Sequence, residues 1–445
     1  MQYSDVYLFS KLDLVLFPLY LAFFFYLLRN KIYRYSVENN FKSILILAII
    51  AKVAFTIFHP FLIEFVYNGE GDMKGYFIGL KELNAYLDIN HISLLNFYSN
   101  IEYHFPNVGF THLSSYNYTA STVRLVQYLL PIYKLMMGNF LCISLFCSVW
   151  AFWGAVQILK VLVEFFGKYK KLAAICVLLS PTTSFWSAGL FKESIAFGST
   201  GFLFFGLYQI VFKKKYSVVS IFTVLINTLL IYNIKPYILI IYVGVFIWYI
   251  LHKVSIQKSQ FRKYSIVIFT LIFSLMVLNF ATTFTTESED SNINKYSVDS
   301  ITELLNSTKE GYGGSVYSLG EFDLNNPLSF YKAVPIAIVT CFFRPFIWEN
   351  KNALMLINSL ESLALLCVFL LGLFKHNLFG YFRKIFSNSF TIGLFIFCLT
   401  FAAMITITNN NFGTLARYKM PCMPFIYFIL FYIYRLPDSK IKKID

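Results

Sequence analysis

One carboxylate and several cations in this chain lie beside apolar stretches long enough to cross a membrane. Asp72 follows the second such stretch and lies between Gly71 and Gly75, which allow a sharp turn. A carboxylate at the boundary of water and lipid can accept a proton from a hydroxyl group, and lysine and arginine bind phosphate oxygens. The cations are Lys192, Lys235, Arg344, Arg417 and Lys419. Together these residue types predict a site that deprotonates a hydroxyl and holds a phosphate.

Each of these residues also has a purely structural explanation. Asp72 could be the N-cap of an amphipathic helix that residues 76–86 predict on the membrane surface. Lys192 and Glu193 follow an aromatic turn of the kind found in interfacial belts, and an isolated Lys or Arg among aromatics is typical of a side chain that extends to lipid headgroups. The position of all these cations on one predicted side of the membrane favours a phosphate site over separate anchors.

The composition predicts a polytopic membrane protein. Hydrophobic residues make up 58% of the chain and charged residues 13%, about half of what a soluble domain carries. The net charge of +14 does not indicate nucleic-acid binding, because the basic residues cluster in short loops between apolar runs. The seven cysteines lie in apolar segments without metal-ligand spacing and are expected to be core residues.

The expected fold is a single all-α transmembrane domain, residues 1–445, of about eleven spans. Basic loops follow alternate spans, which predicts an N-terminus outside the cell and a C-terminus in the cytoplasm. The expected location is the bacterial cytoplasmic membrane. The long polar stretches 69–121, with interfacial helices, and 284–327 then lie outside. The predicted spans are 12–29, 43–66, 139–166, 172–187, 191–212, 216–233, 237–252, 264–283, 352–374, 387–407 and 420–434.

Residues 328–350 are apolar enough to span but are interrupted by Pro335 and by Arg344-Pro345. Counting them as a span would place the basic loop at 375–384 outside. We therefore expect a re-entrant or interfacial pair of helices here, so that 284–350 forms one exoplasmic region.

The order of these motifs resembles the GT-C superfamily of integral membrane glycosyltransferases. The branch it is similar to includes protein O-mannosyltransferases and the bacterial aminoarabinose and lipopolysaccharide-core transferases. The motifs are 71–76 (Gly-Asp-Met-Lys-Gly-Tyr), 122–128 with Arg124, the 181–193 turn ending in Lys-Glu, Lys235-Pro236-Tyr237, 343–349 with Arg344, Trp348 and Glu349, and 413–421 with Arg417 and Lys419.

The resemblance implies a polyprenyl-phosphate-linked sugar donor, an inverting transfer and an acidic general base, here Asp72. The five cations would hold the donor phosphate, and the acceptor would be a glycan, a lipid or a protein. Many such enzymes have a second acidic residue in or near the first loop, for which Glu70 and Glu102 are the candidates. Other supporting residues are Arg124, Glu193, Tyr237, Trp348 and Glu349. No metal ligand is assigned, although a divalent metal stays an open alternative, and no nucleic acid is expected as a partner.

Two other functions stay open at this point. An O-antigen or exopolysaccharide polymerase also uses lipid-linked sugars and depends on arginines in outer loops, for which Arg344 and Arg417 would serve. A lipid or solute transporter would place ionisable groups near the bilayer midplane, commonly in repeated halves. The early acidic loop favours the transferase. We further expect Lys192, Lys235, Arg344 and Arg417 to converge on one cavity.

Overall fold

A computed structural model of the chain describes residues 6–67, 69, 71–108, 110, 120–242, 244, 246, 315–320, 327–351 and 353–437. Within these ranges the fold is helical, with no strand. The helices are α1 (Asp13–Leu28), α2 (Arg34–Glu38), α3 (Lys42–Phe65), α4 (Asp72–Ile89), α5 (Leu94–Ser99), α6 (Ile101–His104), α7 (Ala120–Leu135), α8 (Phe140–Phe165), α9 (Lys170–Leu178), α10 (Pro181–Trp186), α11 (Lys192–Leu207), α12 (Val218–Ile234), α13 (Pro327–Phe343), α14 (Ala353–Ile385), α15 (Ser389–Ile407), α16 (Phe412–Tyr418) and α17 (Met423–Arg435).

The chain divides into two compact units. The first contains residues 1–160 and 184–236, and the second contains residues 161–183 and 237–445. Of the predicted site, Asp72, Lys192 and Lys235 belong to the first unit, whereas Arg344 and Arg417 belong to the second.

The described residues form an all-helical fold, as predicted, and six helical segments among them are long and apolar enough to cross a membrane, which indicates a membrane protein. Three shorter apolar helices, Val218–Ile234, Lys332–Phe343 and Met423–Arg435, accompany them. The described part therefore accounts for fewer spans than the eleven predicted. Half of predicted span 237–252 and all of predicted span 264–283 lie outside it. The six segments are Asp13–Glu38, Lys42–Phe65, Phe140–Phe165, Lys192–Phe212, Met355–Ile385 and Ser389–Ile407.

The predicted span 172–187 is broken into α9 and α10. Pro181 is the first residue of α10, and a proline disfavours the helical conformation in the residue before it. Helix α9 has 9 residues and α10 has 6, so neither reaches the length of about 20 residues that a span needs. This break lies shortly before Lys192, the first residue of α11.

The 328–350 segment also differs from the predicted pair of helices. One helix, α13, continues through Pro335 and ends at Phe343, directly before Arg344-Pro345. A single 3-10 turn, Ile347–Glu349, follows it. Helices α14 and α15 pack against α13, and a proline inside an apolar helix is tolerated where neighbouring helices surround it.

Helix α4 forms over the predicted amphipathic stretch, but its apolar face does not lie open to lipid. Ile78, Leu80 and Leu83 are completely buried, and α7 packs along the helix. The first turn of α4, which carries Asp72, is therefore fixed within the first unit by side-chain packing.

Glycines let α8 and α11 approach closely within the first unit. Gly154 of α8 lies against Gly198 and Gly201 of α11, so that a Cβ atom on any of the three would overlap facing atoms. Small residues allow such close contact between membrane helices. The contact fixes the position of α11, whose N-terminus carries Lys192 and Glu193.

Candidate functional site

Asp72 is the first residue of α4, and Gly71 before it holds the N-cap position. The N-cap explanation of Asp72 is therefore wrong, although a carboxylate in the first turn still interacts favourably with the helix dipole. The Asp72 side chain is partly exposed. Tyr76 lies one turn further along, and residues four apart share a helix face. The face that carries Asp72 thus continues through the buried Tyr76.

Lys192 lies beside this face of α4. Its Nζ atom is 5.5 Å from the centre of the Tyr76 ring and donates a hydrogen bond of 3.0 Å to Ser121 Oγ. A cation within about 6 Å of an aromatic ring is attracted to it. The first unit therefore brings a lysine ammonium to the helix that carries the predicted general base.

Lys235 and Glu193 form a buried ion pair in the same unit. Lys235 Nζ lies 2.9 Å from Glu193 Oε1, and both side chains are buried. Lys235 is the C-cap residue of α12, and Glu193 is in the first turn of α11. The pair therefore joins the ends of two helices, and the charge of Lys235 is balanced by Glu193 instead of being presented alone.

Residues 184–191, here called the connector, lead into α11 and are held by polar side chains of α3 and α8. Lys52 Nζ donates to the Ser184 carbonyl oxygen at 3.0 Å and to Ser187 Oγ at 2.6 Å. The Gly189 amide donates to Ser148 Oγ at 2.8 Å, and Ser148 Oγ also lies 2.7 Å from Thr56 Oγ1.

His59 adds an aromatic contact to the same connector. Its ring centre lies 4.2 Å from that of Phe185, 5.0 Å from Phe191 and 5.8 Å from Trp186. The aromatic turn predicted to face lipid headgroups is thus packed against a helix of its own unit. Sequence reasoning missed Lys52, His59 and Ser148, since they lie far from the connector in the chain.

A second ion pair, between the buried Lys74 and the partly buried Glu64, adjoins Asp72. Lys74 is 2% exposed, and its Nζ atom lies 3.9 Å from Glu64 Oε1. The same carboxylate oxygen accepts a 2.9 Å hydrogen bond from the Leu8 amide. Glu64 therefore ties the end of α3 and the N-terminal segment to the first turn of α4. Lys74 lies within the predicted 71–76 motif but had no role assigned to it, and Glu64 was not predicted to take part in the site.

In the second unit Arg344 forms an ion pair with Glu349. Its Nε atom donates to both carboxylate oxygens at 3.1 and 3.2 Å, and Nη2 forms a closer contact to Oε1. The guanidinium also lies 5.4 Å from the centre of the Phe412 ring. Any phosphate bound by Arg344 must share this guanidinium with Glu349.

The same pair determines the acidity of Glu349. Partial burial alone would raise the pKa of its carboxyl group, but hydrogen bonds from Arg344 and from the Phe346 amide, together with the charge of Arg344, outweigh burial. The pKa of Glu349 therefore lies below its ordinary value.

The end of α13 and helix α16 meet in the second unit. Arg344, directly after α13, contacts Phe412 of α16, and Lys419, directly after α16, donates to the Cys341 carbonyl oxygen at 3.4 Å. Lys419 is 2% exposed, so its ammonium lies inside the protein. Arg417 is partly exposed on α16. Two of the predicted cations, Arg344 and Lys419, thus lie where these two elements touch.

The remaining predicted residues occupy varied positions. Tyr237 is buried near Phe401 and Tyr418 in the second unit. Trp348 is 81% exposed and stacks on Phe346 with ring centres 4.9 Å apart. Arg124 is exposed and donates to Gln127 Oε1 at 3.2 Å.

Both candidates for a second acidic residue fall outside what the structure describes. Glu70 lies outside the described residues, and Glu102 belongs to α6, but its side chain is outside the description. Among the described residues no group of three His, Cys, Asp or Glu side chains could hold a metal ion. The convergence of Lys192 and Lys235 with Arg344 and Arg417 stays a prediction.

The chain matches no protein-family model, no curated protein and no solved structure. The chemistry of the site therefore rests on its own residues. In the first unit these are a carboxylate at the start of α4, a lysine ammonium beside that helix, and two ion pairs, Lys74–Glu64 and Lys235–Glu193, that fix the starts of α4 and α11.

Proposed function

We propose that this protein is an inverting membrane glycosyltransferase that moves a sugar from a polyprenyl-phosphate-linked donor to an acceptor hydroxyl. The observation that carries the proposal is the approach of Lys192 to the Asp72 helix, with Lys192 Nζ 5.5 Å from the Tyr76 ring. A carboxylate and a cation are the two groups that this transfer requires. Both lie in a unit with four apolar helices long enough to span a membrane, which suits a donor with a lipid tail.

The proposed step uses one displacement at the anomeric carbon. The acceptor oxygen forms its bond to that carbon while the bond from the carbon to the phosphate oxygen breaks, and the electron pair leaves with the polyprenyl phosphate. Asp72 takes the proton of the attacking hydroxyl. Lys192 stabilises the charge that develops on the leaving phosphate. A single displacement inverts the configuration at the sugar carbon.

The other predicted cations take different parts in this proposal. Lys235 pairs with Glu193, and its proposed role is to fix the start of α11. Arg344, Arg417 and Lys419 belong to the second unit, and their part in holding the donor phosphate stays a prediction. The eleven-span GT-C-like arrangement and the outer face of the bacterial cytoplasmic membrane are parts of the same proposal.

Mass spectrometry of surface glycans and lipids from a deletion strain tests the proposed function. We expect the loss of a single sugar residue from one glycan or lipid, restored by the wild-type gene. A loss of glycan chain length would instead assign a polymerase, and glycans and lipids identical to those of the parent strain would contradict both enzymes.

A further inference from the structure

We propose that Lys52 is a positioning residue, which holds the connector where Lys192 meets the Asp72 helix; this inference rests on the proposed function. Lys52 lies within the apolar helix α3, a candidate span. Its Nζ atom is bonded to two connector atoms, the Ser184 carbonyl oxygen and Ser187 Oγ. Lys52 thus bonds α3 directly to the segment that precedes Lys192.

A lysine in this place needs a reason. A charged side chain at the centre of a spanning helix costs about 2.5–3.5 kcal/mol, and burial of an ammonium is tolerated where acceptors surround it. Within the described part of the chain, Lys52 forms no ion pair with a carboxylate, and the acceptors it contacts are both in the connector. An apolar residue would be sufficient at this position in a helix that only crosses the membrane. The hydrogen bonds to the connector therefore explain why a lysine is present.

The connector contacts both α4, which carries Asp72, and α11, which carries Lys192. Gly189 has φ +113°, and a Cβ atom there would lie 2.5 Å from Met73 Cε, next to Asp72 in the chain. The Gly189 carbonyl accepts a 2.9 Å hydrogen bond from Ser194 Oγ in the first turn of α11. A displaced connector would therefore shift Lys192 relative to α4. Lys52 acts through this segment and does not itself contact the donor.

The test compares Lys52→Met with Lys160→Met. Lys160 is a second lysine of an apolar helix in the same unit, and its contacts are Gln157 and the rings of Tyr35 and Phe205. In a protein that keeps Trp186 as its single tryptophan, acrylamide quenching reports the packing of the connector without any activity assay. We expect quenching to increase about twofold or more in Lys52→Met and to stay unchanged in Lys160→Met. Equal quenching in the two variants would overturn the proposal.

A second readout separates positioning from general loss of stability. In wild-type background, Lys52→Met should reduce kcat for sugar transfer by about 10-fold or more, whereas in a Lys192→Gln background it should have little further effect, because coupled residues are not additive. Lys52→Arg should restore part of the rate. Additive effects of Lys52→Met and Lys192→Gln would contradict the proposal.

A milder variant decides the matter if Lys52→Met fails to accumulate. Ser187→Ala removes one of the two hydrogen bonds and leaves the ammonium in place. It should show a smaller increase in quenching at normal membrane levels, and unchanged quenching would overturn the inference. If Lys52→Met alters quenching but the wild-type protein transfers no sugar, the proposed function is overturned and the connector contact stays established. The two failures are therefore distinguishable.

Discussion

At the scale of single residues, the lysines of the proposed site differ in the contacts that hold them. Lys235 is neutralised by Glu193 at 2.9 Å, and Lys74 lies 3.9 Å from Glu64. Lys192 Nζ donates to Ser121 Oγ at 3.0 Å and lies 5.5 Å from the centre of the Tyr76 ring, beside the helix that carries Asp72. An ammonium fixed in such a position can stabilise negative charge that develops on a phosphate.

Lys192→Gln should lower kcat/KM for the lipid-linked donor, mainly through kcat, because Lys192 is proposed to stabilise the charge that develops on the leaving phosphate. A hydrogen bond to a charged group contributes about 1.5–3 kcal/mol, which corresponds to roughly 10–100-fold. Lys134→Gln is the matched control, because Lys134 pairs with Asp88 on a largely exposed surface. Transfer rates measured in membranes over a range of donor concentrations check this. A kcat/KM that stays within about twofold of the wild-type value would remove Lys192 from the donor site.

The Arg344–Glu349 pair should make stability depend on acid pH. Because the folded pKa of Glu349 lies below its ordinary value of 4.5, the pair stabilises the fold fully above about pH 4.5 and loses this contribution as the pH falls through the lower folded pKa. Glu349→Gln should unfold at a lower temperature than wild type at pH 7, by a margin that shrinks near pH 3.5. Thermal unfolding in detergent measures this, and an equal margin at both pH values would be the contrary result.

At the scale of elements, the connector requires glycine at position 189. Its φ of +113° is unfavourable for other residues, and Met73 leaves no room for a Cβ atom. Gly189→Ala should therefore destabilise the protein by about 1–3 kcal/mol. Gly75→Ala, in helix α4 with nothing within 4 Å of the new Cβ, should be neutral or slightly stabilising. Unfolding temperatures compare the two, and equal values would show that the connector tolerates a side chain.

Hydropathy predicted the positions of the long helices well, and the contacts between them poorly. Segments 43–66 and 387–407 agree closely with α3 and α15, because both are set by uninterrupted apolar runs. The break before Pro181 was not predicted, because the residues around it are apolar enough to be read as one span. Pro181 instead begins a new helix. The Lys52–Ser184 and Thr56–Ser148 contacts join residues 132 and 92 positions apart. No local pattern encodes such pairs, so the connector's supports could not be predicted.

At the scale of the whole molecule, the orientation in the membrane is a prediction from the basic loops. We expect residues 69–121 and 284–327 to face outside and residues 29–42 and 213–215 to face the cytoplasm. In a protein without its native cysteines, Ser300→Cys should react with an impermeant thiol reagent in intact cells, and Lys214→Cys only after permeabilisation. The reverse pattern would place the Asp72 helix on the cytoplasmic side and would exclude the proposed outer-face site.

The central claim is that Asp72 accepts the proton of the acceptor hydroxyl. Its most direct test is quantitative mass spectrometry of surface glycans and lipids from the deletion strain complemented with wild type, Asp72→Asn or Asp88→Asn. Asp88 is an exposed carboxylate on the same helix, which makes it the matched control. We expect Asp88→Asn to restore the missing sugar, and Asp72→Asn, at equal membrane levels, to transfer it about 100–10,000-fold more slowly. Full restoration by Asp72→Asn would contradict the account.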